Sequence, residues 1–232
     1  MKFSEKNVVI LGGSTGIGLA TAEAFINAGE NVWITGRSEK NLQPAALKIG
    51  NPKLKTLIAD TSSLAGIADL EKAISENGIN IHVLHLNSGI GIFSPIEHTT
   101  EADFDAQFNT NVKAHYFTLQ KLIPHLAEGS SVVFTSSGAA TAARLNSGVY
   151  SATKSALNKI AQIAANELAG RKIRVNIVSP VSVATEAVSL FPDEIVADLA
   201  SITALQRMGE PEEIAKVVLF LASDDASFIT GI

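Results

Sequence analysis

Tyr150 and Lys154 stand four residues apart in the stretch GVYSATKS, residues 148–155. On a helix that spacing is a little over one turn, so both side chains project from one face. A phenol has a pKa near 10, and serving as a base near pH 7 to 8 needs a fall of roughly two to three pH units, or about 3–4 kcal/mol. An ammonium one turn away moves the phenol in that direction by favouring the phenolate. The same spacing arises on any exposed helix that carries a tyrosine and a lysine, so the pair does chemistry only if a site surrounds it. Thirteen residues before Tyr150, the stretch TSSG brings Ser137, whose hydroxyl can donate to a substrate oxygen or merely satisfy its own turn; Ser136 is the neighbouring competitor. Asn111, in NTNVKAH, falls in the middle of a predicted helix, where asparagine is locally unfavourable and therefore hints at a separate job.

The elements that must position these groups show as short β-branched runs: NVVIL (7–11), NVWIT (31–35), LKTLIA (54–59), INIHVLHL (79–86), SVVFT (131–135) and IRVNIV (173–178). Each reads as a strand. Amphipathic segments between them, 17–28, 64–77, 101–126 and 151–169, are long enough for helices. Strand and helix alternating six times predict one α/β domain over 1–232, a Rossmann-like doubly wound parallel sheet with helices on both faces. Thr100 with Asp103 resembles an N-terminal capping box, and Gly29, Gly78, Gly129 and Gly170 fall where helices should stop. Pro44 is expected in the first turn of the second helix, which leaves SEKNLQ as a turn.

Between the first strand and the first helix stands GGSTGIG, Gly12 to Gly18, with Ser14, Thr15, Gly16 and Ile17 inside the loop. Glycine here lets the backbone approach a pyrophosphate whose charge the helix N-terminus stabilises. Placement straight after a buried strand and straight before a helix favours nucleotide binding over a flexible turn.

The spacing G-x-x-x-G-x-G, together with the Ser137, Tyr150 and Lys154 set, resembles the short-chain dehydrogenase/reductase family. Gly12, Gly16, Ile17 and Gly18 match its T-G-x-x-x-G-I-G pattern, with Leu11 in place of the threonine. At the end of the second strand TGRS carries Arg37 and no carboxylate. The resemblance then implies a preference for NADP(H), whose 2′-phosphate an arginine can bind, while a merely solvated Arg37 stays open. Asp60, in IADTSS, matches the adenine-contacting aspartate or serves as an N-cap of the next helix. LNSG stands for the family's N-N-A-G, so Asn87 and Gly89 would lie beside the ribose, and Leu86 leaves a polar bridge between strands to be replaced. In SPVSVAT, Pro180 and Thr185 match P-G-x-x-x-T, Thr185 would contact the nicotinamide, and Val181 replaces glycine. By the same resemblance Asn111, Ser137, Tyr150 and Lys154 form the catalytic set, with Asn111 holding a water that links Lys154 to solvent. The family's final strand is expected to be missing after Ile232, and a homo-oligomer, tetramer or dimer, is expected.

A net charge of −5 leaves no basic field for nucleic acid, and no apolar run is long enough to span a bilayer. Residues Val8 to Leu11 are too few for a signal-peptide core and cysteine is absent, so a cytoplasmic address is expected. His82 and His85, three apart on a strand, point to opposite faces, and no metal site is expected. The reading is an NADP(H)-dependent oxidoreductase moving a hydride between nicotinamide and a small carbonyl or alcohol; the apolar stripe over 182–206 is either a lid, suggesting an apolar substrate, or a helix packed on the core. Two alternatives stay open. One is a noncatalytic NADP(H)-binding regulator, and the other a 3-oxoacyl-carrier-protein reductase docking through Arg171 and Lys172.

Overall fold

The computed structural model describes residues 5–232. The first four residues of the N-terminal stretch weighed above as a leader lie outside them. Six strands run in the chain order β1 (Asn7–Leu11), β2 (Asn31–Gly36), β3 (Leu54–Ile58), β4 (Ile81–Leu86), β5 (Leu126–Thr135) and β6 (Arg174–Val178). They form one sheet in the spatial order β3-β2-β1-β4-β5-β6, every neighbouring pair parallel. Order reverses between β1 and β4, which opens a crevice beyond the carboxyl ends of those two strands.

Alternation along each strand feeds two cores. Val8 and Ile10 point to the face covered by α1 (Gly16–Asn27), α2 (Glu39–Ile49) and α8 (Pro211–Ala222), where Phe25, Leu42 and Val218 are buried. Val9 and Leu11 point to the opposite face, covered by α3 (Leu64–Glu76), α5 (Ala114–Leu122) and α6 (Gly148–Leu168). Burial on both faces is why the strands are continuous apolar runs instead of polar-apolar alternations.

Pro44 departs from expectation, since α2 begins at Glu39 and carries the proline inside it. An interior proline loses one ladder bond and costs about 3 kcal/mol. Burial of Leu42 and Ala45 in the core holds the first turn in place despite that loss. The long helix expected over 101–126 is broken into α4 (Glu101–Phe108), a π turn (Asn109–Lys113) and α5, followed by a short 3₁₀ turn through Pro124. Leu126 already pairs with Ile81, and the register then jumps to Val83 opposite Ser131, so Gly129 sits in a bulge of β5 and not at a helix end. Thr100 caps α4 by accepting from the Asp103 N–H at 3.1 Å, but its own hydroxyl donates to the Asp103 carboxylate at 2.7 Å, so only half of a capping box forms. Past α7 (Asp193–Ser201) and α8, Gly231 donates to Val175 O and Ile177 donates to Ile232 O, both at 2.8 Å, along the outer edge of β6.

Candidate active site

A cavity of about 750 Å³ opens at the crevice between the ends of β1 and β4. Its walls carry Gly12, Ser14, Thr15, Gly16, Ile17, Arg37, Asp60, Asn87, Gly89, Ser137, Tyr150, Lys154, Pro180 and Thr185. The glycine loop and the tyrosine-lysine pair, more than 130 residues apart in sequence, therefore face one space. Two predicted residues do not line it: Gly18 is buried behind the loop and Asn111 is wholly buried.

Gly18 acts through close approach. A Cβ there would lie 2.0 Å from Gly12 O and 2.7 Å from the Asn87 amide nitrogen, so no side chain fits between α1 and the end of β1. Gly12 itself adopts φ +68, which turns the chain out of β1 beside Ser88. Asn87 donates to Gly12 O at 3.1 Å, which ties the β4 end to this loop. The open loop and the start of α1 thus fit a pyrophosphate with its backbone exposed to the cavity. One of those donors is already engaged, because Gly16 N–H donates to the Glu186 carboxylate at 2.9 Å.

On the other wall, α6 buries a stripe through Lys154, Leu157, Ala161, Ala165 and Leu168. Lys154 is 3% exposed and thus occupies a core-facing position just where the stripe meets the cavity. Its ammonium donates to Thr135 O at 3.1 Å, and burial pulls its pKa down to about 8. Tyr150, one turn earlier, packs edge-on against Phe93 with ring centroids 5.4 Å apart. Burial raises its pKa, and Ser137 acts on it in the opposite, lowering sense. Desolvation of the phenol therefore outweighs the lowering expected from the lysine spacing. At neutral pH the group is a phenol, a proton donor.

Ser137 also accepts from Ala139 N–H at 3.2 Å, while Ser136, which lines the cavity as well, has its hydroxyl engaged in donating to Lys154 O at 3.3 Å. Asn111 sits in the π turn, an irregularity common at functional sites. Its amide brackets Ile90, accepting from Ile90 N–H and donating to Ile90 O, both at 2.8 Å, and donates to Thr153 at 3.1 Å. The side chain positions the segment after β4 and has no free donor for substrate. Asp60 accepts from Ser62, and the N-cap of α3 is Ser63, which takes the Gly66 N–H at 3.1 Å. The capping role weighed for Asp60 thus belongs to Ser63.

The departures from the family pattern have local replacements. His85 Nε2 and Thr135 Oγ1, 2.8 Å apart, bridge β4 and β5 one residue before Leu86, and Ser88 bonds His115 Nε2 at 3.1 Å. Burial holds both imidazoles at a pKa of about 3, so they are neutral. Val181 keeps an ordinary backbone and lies over Gly138 on the cavity wall. Sequence reasoning missed Glu186, Phe93 and Arg144, all on this wall. Exposed residues in irregular loops carry no periodic signal; only adjacency to Thr185 and nearness to Tyr150 pointed toward the first and the last. The proposed docking cations lie elsewhere: Arg171 bonds Ile123 O and Leu126 O, and Lys172 pairs with Glu128 at 2.7 Å.

A family model described as enoyl-(acyl carrier protein) reductase matches residues 12–232. The 3-oxoacyl-[acyl-carrier-protein] reductase FabG of Thermotoga maritima is 32% identical over 100% of this chain and 96% of its own. Among solved structures, a 3-ketoacyl-(acyl-carrier-protein) reductase from Brucella melitensis complexed with NADH superposes with a TM-score of 0.89 at 29% identity, covering 97% of this chain and 94% of that one. A mutant of a Serratia marcescens short-chain dehydrogenase/reductase gives 0.91 at 29% identity, covering 100% and 96%.

Proposed function

The chain belongs to the short-chain dehydrogenase/reductase family of oxidoreductases, and we propose that it reduces a carbonyl group with NADP(H), Tyr150 donating the proton. The observation that carries this reading is the shared cavity, in which Tyr150, Lys154 and Ser137 face the same space as the glycine loop. The nicotinamide, when bound, supplies the hydride. The chain's residues do the rest: the Ser137 hydroxyl donates to the carbonyl oxygen, and the Tyr150 phenol protonates that oxygen as negative charge develops on it. Lys154 presents positive charge beside the phenol, and Asn111 fixes the backbone of Ile90 that walls the site. Phe93, Val181, Val188, Phe191, Leu199 and Ile202 give the substrate half an apolar wall that excludes water.

NADP(H) is favoured by Arg37, whose guanidinium at the end of β2 lines the cavity with no protein partner among the described residues. Replacing Arg37 by glutamate is expected to lower kcat/KM for NADPH by about 10- to 100-fold, the size of a lost charge-assisted hydrogen bond, and to raise it for NADH. Initial rates with both cofactors decide this, and an unchanged preference refutes the role of Arg37. A second expectation concerns Glu186, whose carboxylate occupies an N–H that a pyrophosphate would take. Glu186→Gln is expected to tighten binding of NADPH and of ADP about 2- to 10-fold, because one anion no longer competes with another at a helix start, and to leave adenosine unaffected. Titration calorimetry measures it.

A carrier-linked 3-oxoacyl substrate is the second reading, favoured by the likeness to the Thermotoga and Brucella reductases. NADPH oxidation against aliphatic, aromatic, steroid and 3-oxoacyl carbonyls, repeated with NADH, tests both. Inactivity on the whole panel with tight cofactor binding rejects the enzyme reading in favour of a noncatalytic cofactor-binding protein.

A further inference from the structure

Five arginines occur in the chain, and their partners divide them. Arg171, Arg174 and Arg207 each bond backbone carbonyls, and Arg207 also pairs with Glu213. Arg37 and Arg144 both line the cavity, and neither guanidinium has a hydrogen-bond or ion-pair partner among the described residues. Guanidinium groups are built for bidentate binding of carboxylate or phosphate, so an unpartnered one beside a ligand space is a recognition group in waiting.

The other charges on the wall mark which half each arginine serves. Asp60 follows β3 and Glu186 sits at the glycine loop, both on the side of Arg37, and Lys154 is turned to Thr135 O. In the half bounded by Tyr150, Phe93 and Ala142, Arg144 is the remaining charge. Its backbone is fixed: Arg144 O accepts from the Ser147 hydroxyl at 2.8 Å, and Ser94 N–H donates to Asn146 O at 2.8 Å, which ties this turn to the segment after β4. Asn146 adopts φ +64, a conformation asparagine tolerates better than most side chains, and so reverses the chain into α6. A guanidinium with no partner among the described residues thus springs from a pinned base six residues before Tyr150.

We infer that Arg144 selects carbonyl substrates that carry an anionic group, a carboxylate or a phosphate, at the far end of an apolar body. This deepens the carbonyl-reductase reading and rests on it. The apolar wall takes the body, Tyr150 and Ser137 take the carbonyl, and Arg144 at the rim takes the anion. A neutral ketone leaves the guanidinium solvated and loses that contact.

The test compares levulinate and longer-chain oxo acids with their methyl esters, and acetoacetyl-pantetheine with and without its phosphate, in the wild type and in Arg144→Gln and Arg144→Glu. Wild type is expected to favour acid over ester by about 10-fold or more in kcat/KM, carried in KM. Arg144→Gln should erase the preference by raising KM for the acids toward that for the esters, and Arg144→Glu should reverse it. Preference for the phosphorylated pantetheine arm identifies a carrier-type phosphate as the source, and preference for the oxo acids identifies a free acid; either sustains the proposal. Equal wild-type rates on acid and ester overturn it, as does an Arg144→Gln variant that loses both alike. If no carbonyl turns over, the reductase reading fails separately. Binding of each oxo acid to the NADPH-loaded wild type and Arg144→Gln, followed by nicotinamide fluorescence, then decides Arg144: equal affinities overturn its role, and weaker binding to the variant upholds it.

Discussion

The Tyr150→Phe variant is expected to bind NADPH as the wild type does and to reduce carbonyls about 10²- to 10⁴-fold more slowly, the range associated with removing a positioned proton donor. Phenylalanine keeps the ring and its edge-on contact with Phe93, so the cavity wall and the fold should survive. Only the hydroxyl leaves, and with it a phenol that lines the cavity and whose burial raises its pKa from an ordinary value already well above neutrality. Ser137 cannot replace it, because an aliphatic hydroxyl gives up its proton far less readily than a phenol. Single-turnover kinetics with preloaded NADPH separates the proton-coupled step from cofactor binding, and fluorescence titration measures the binding itself. Residual turnover within tenfold of the wild type would mean that another group, or water, supplies the proton, and the assignment of Tyr150 would fall.

How much of this was legible in the residues depended on whether the determining force was local. β1 to β6 were readable because burial on both faces demands uninterrupted apolar runs, whereas the order of the strands in the sheet was not read from the sequence. The glycine loop was readable for a similar reason, since at Gly18 a side chain would strike Gly12 O and only one residue type fits. The π turn at Asn109–Lys113 was not, because no local signal marks it; within it Asn111 bonds Ile90, a residue 21 positions away. Pro44 was placed by its own preference, and tertiary burial of Leu42 and Ala45 overrode it. The pKa of Tyr150 was read from the positive charges expected beside it, whereas burial, which sequence spacing does not report, sets the direction for both groups. Glu186 and Arg144 belong to irregular segments whose charges have meaning only once the cavity is closed around them.

Lys154→Met is expected to abolish useful turnover while making the ligand-free protein more stable, and the pH dependence of the gain identifies its cause. The folded state holds this lysine at a pKa of about 8, against 10.5 for the free side chain. At 1.36 kcal/mol for each pH unit between those values, keeping the ammonium buried costs the fold about 3 kcal/mol near neutrality. Methionine is unbranched, one heavy atom shorter and uncharged, and it forfeits the bond to Thr135 O, a charge-assisted contact of about 1.5–3 kcal/mol. A net gain of about 1 kcal/mol follows, which for a chain of this size raises Tm by about 2–4 °C. Below pH 8 both folded and unfolded states carry the proton, so the penalty is constant. Between about 8 and 10.5 the unfolded chain holds a proton the folded one has released, so wild-type stability rises with pH and the advantage of methionine shrinks. Thermal unfolding of the two proteins from pH 6 to 10 measures this. A variant less stable than the wild type by the same margin at every pH would show that the lysine stabilises the fold by packing and hydrogen bonding, and that its burial was never held against stability for the sake of the reaction.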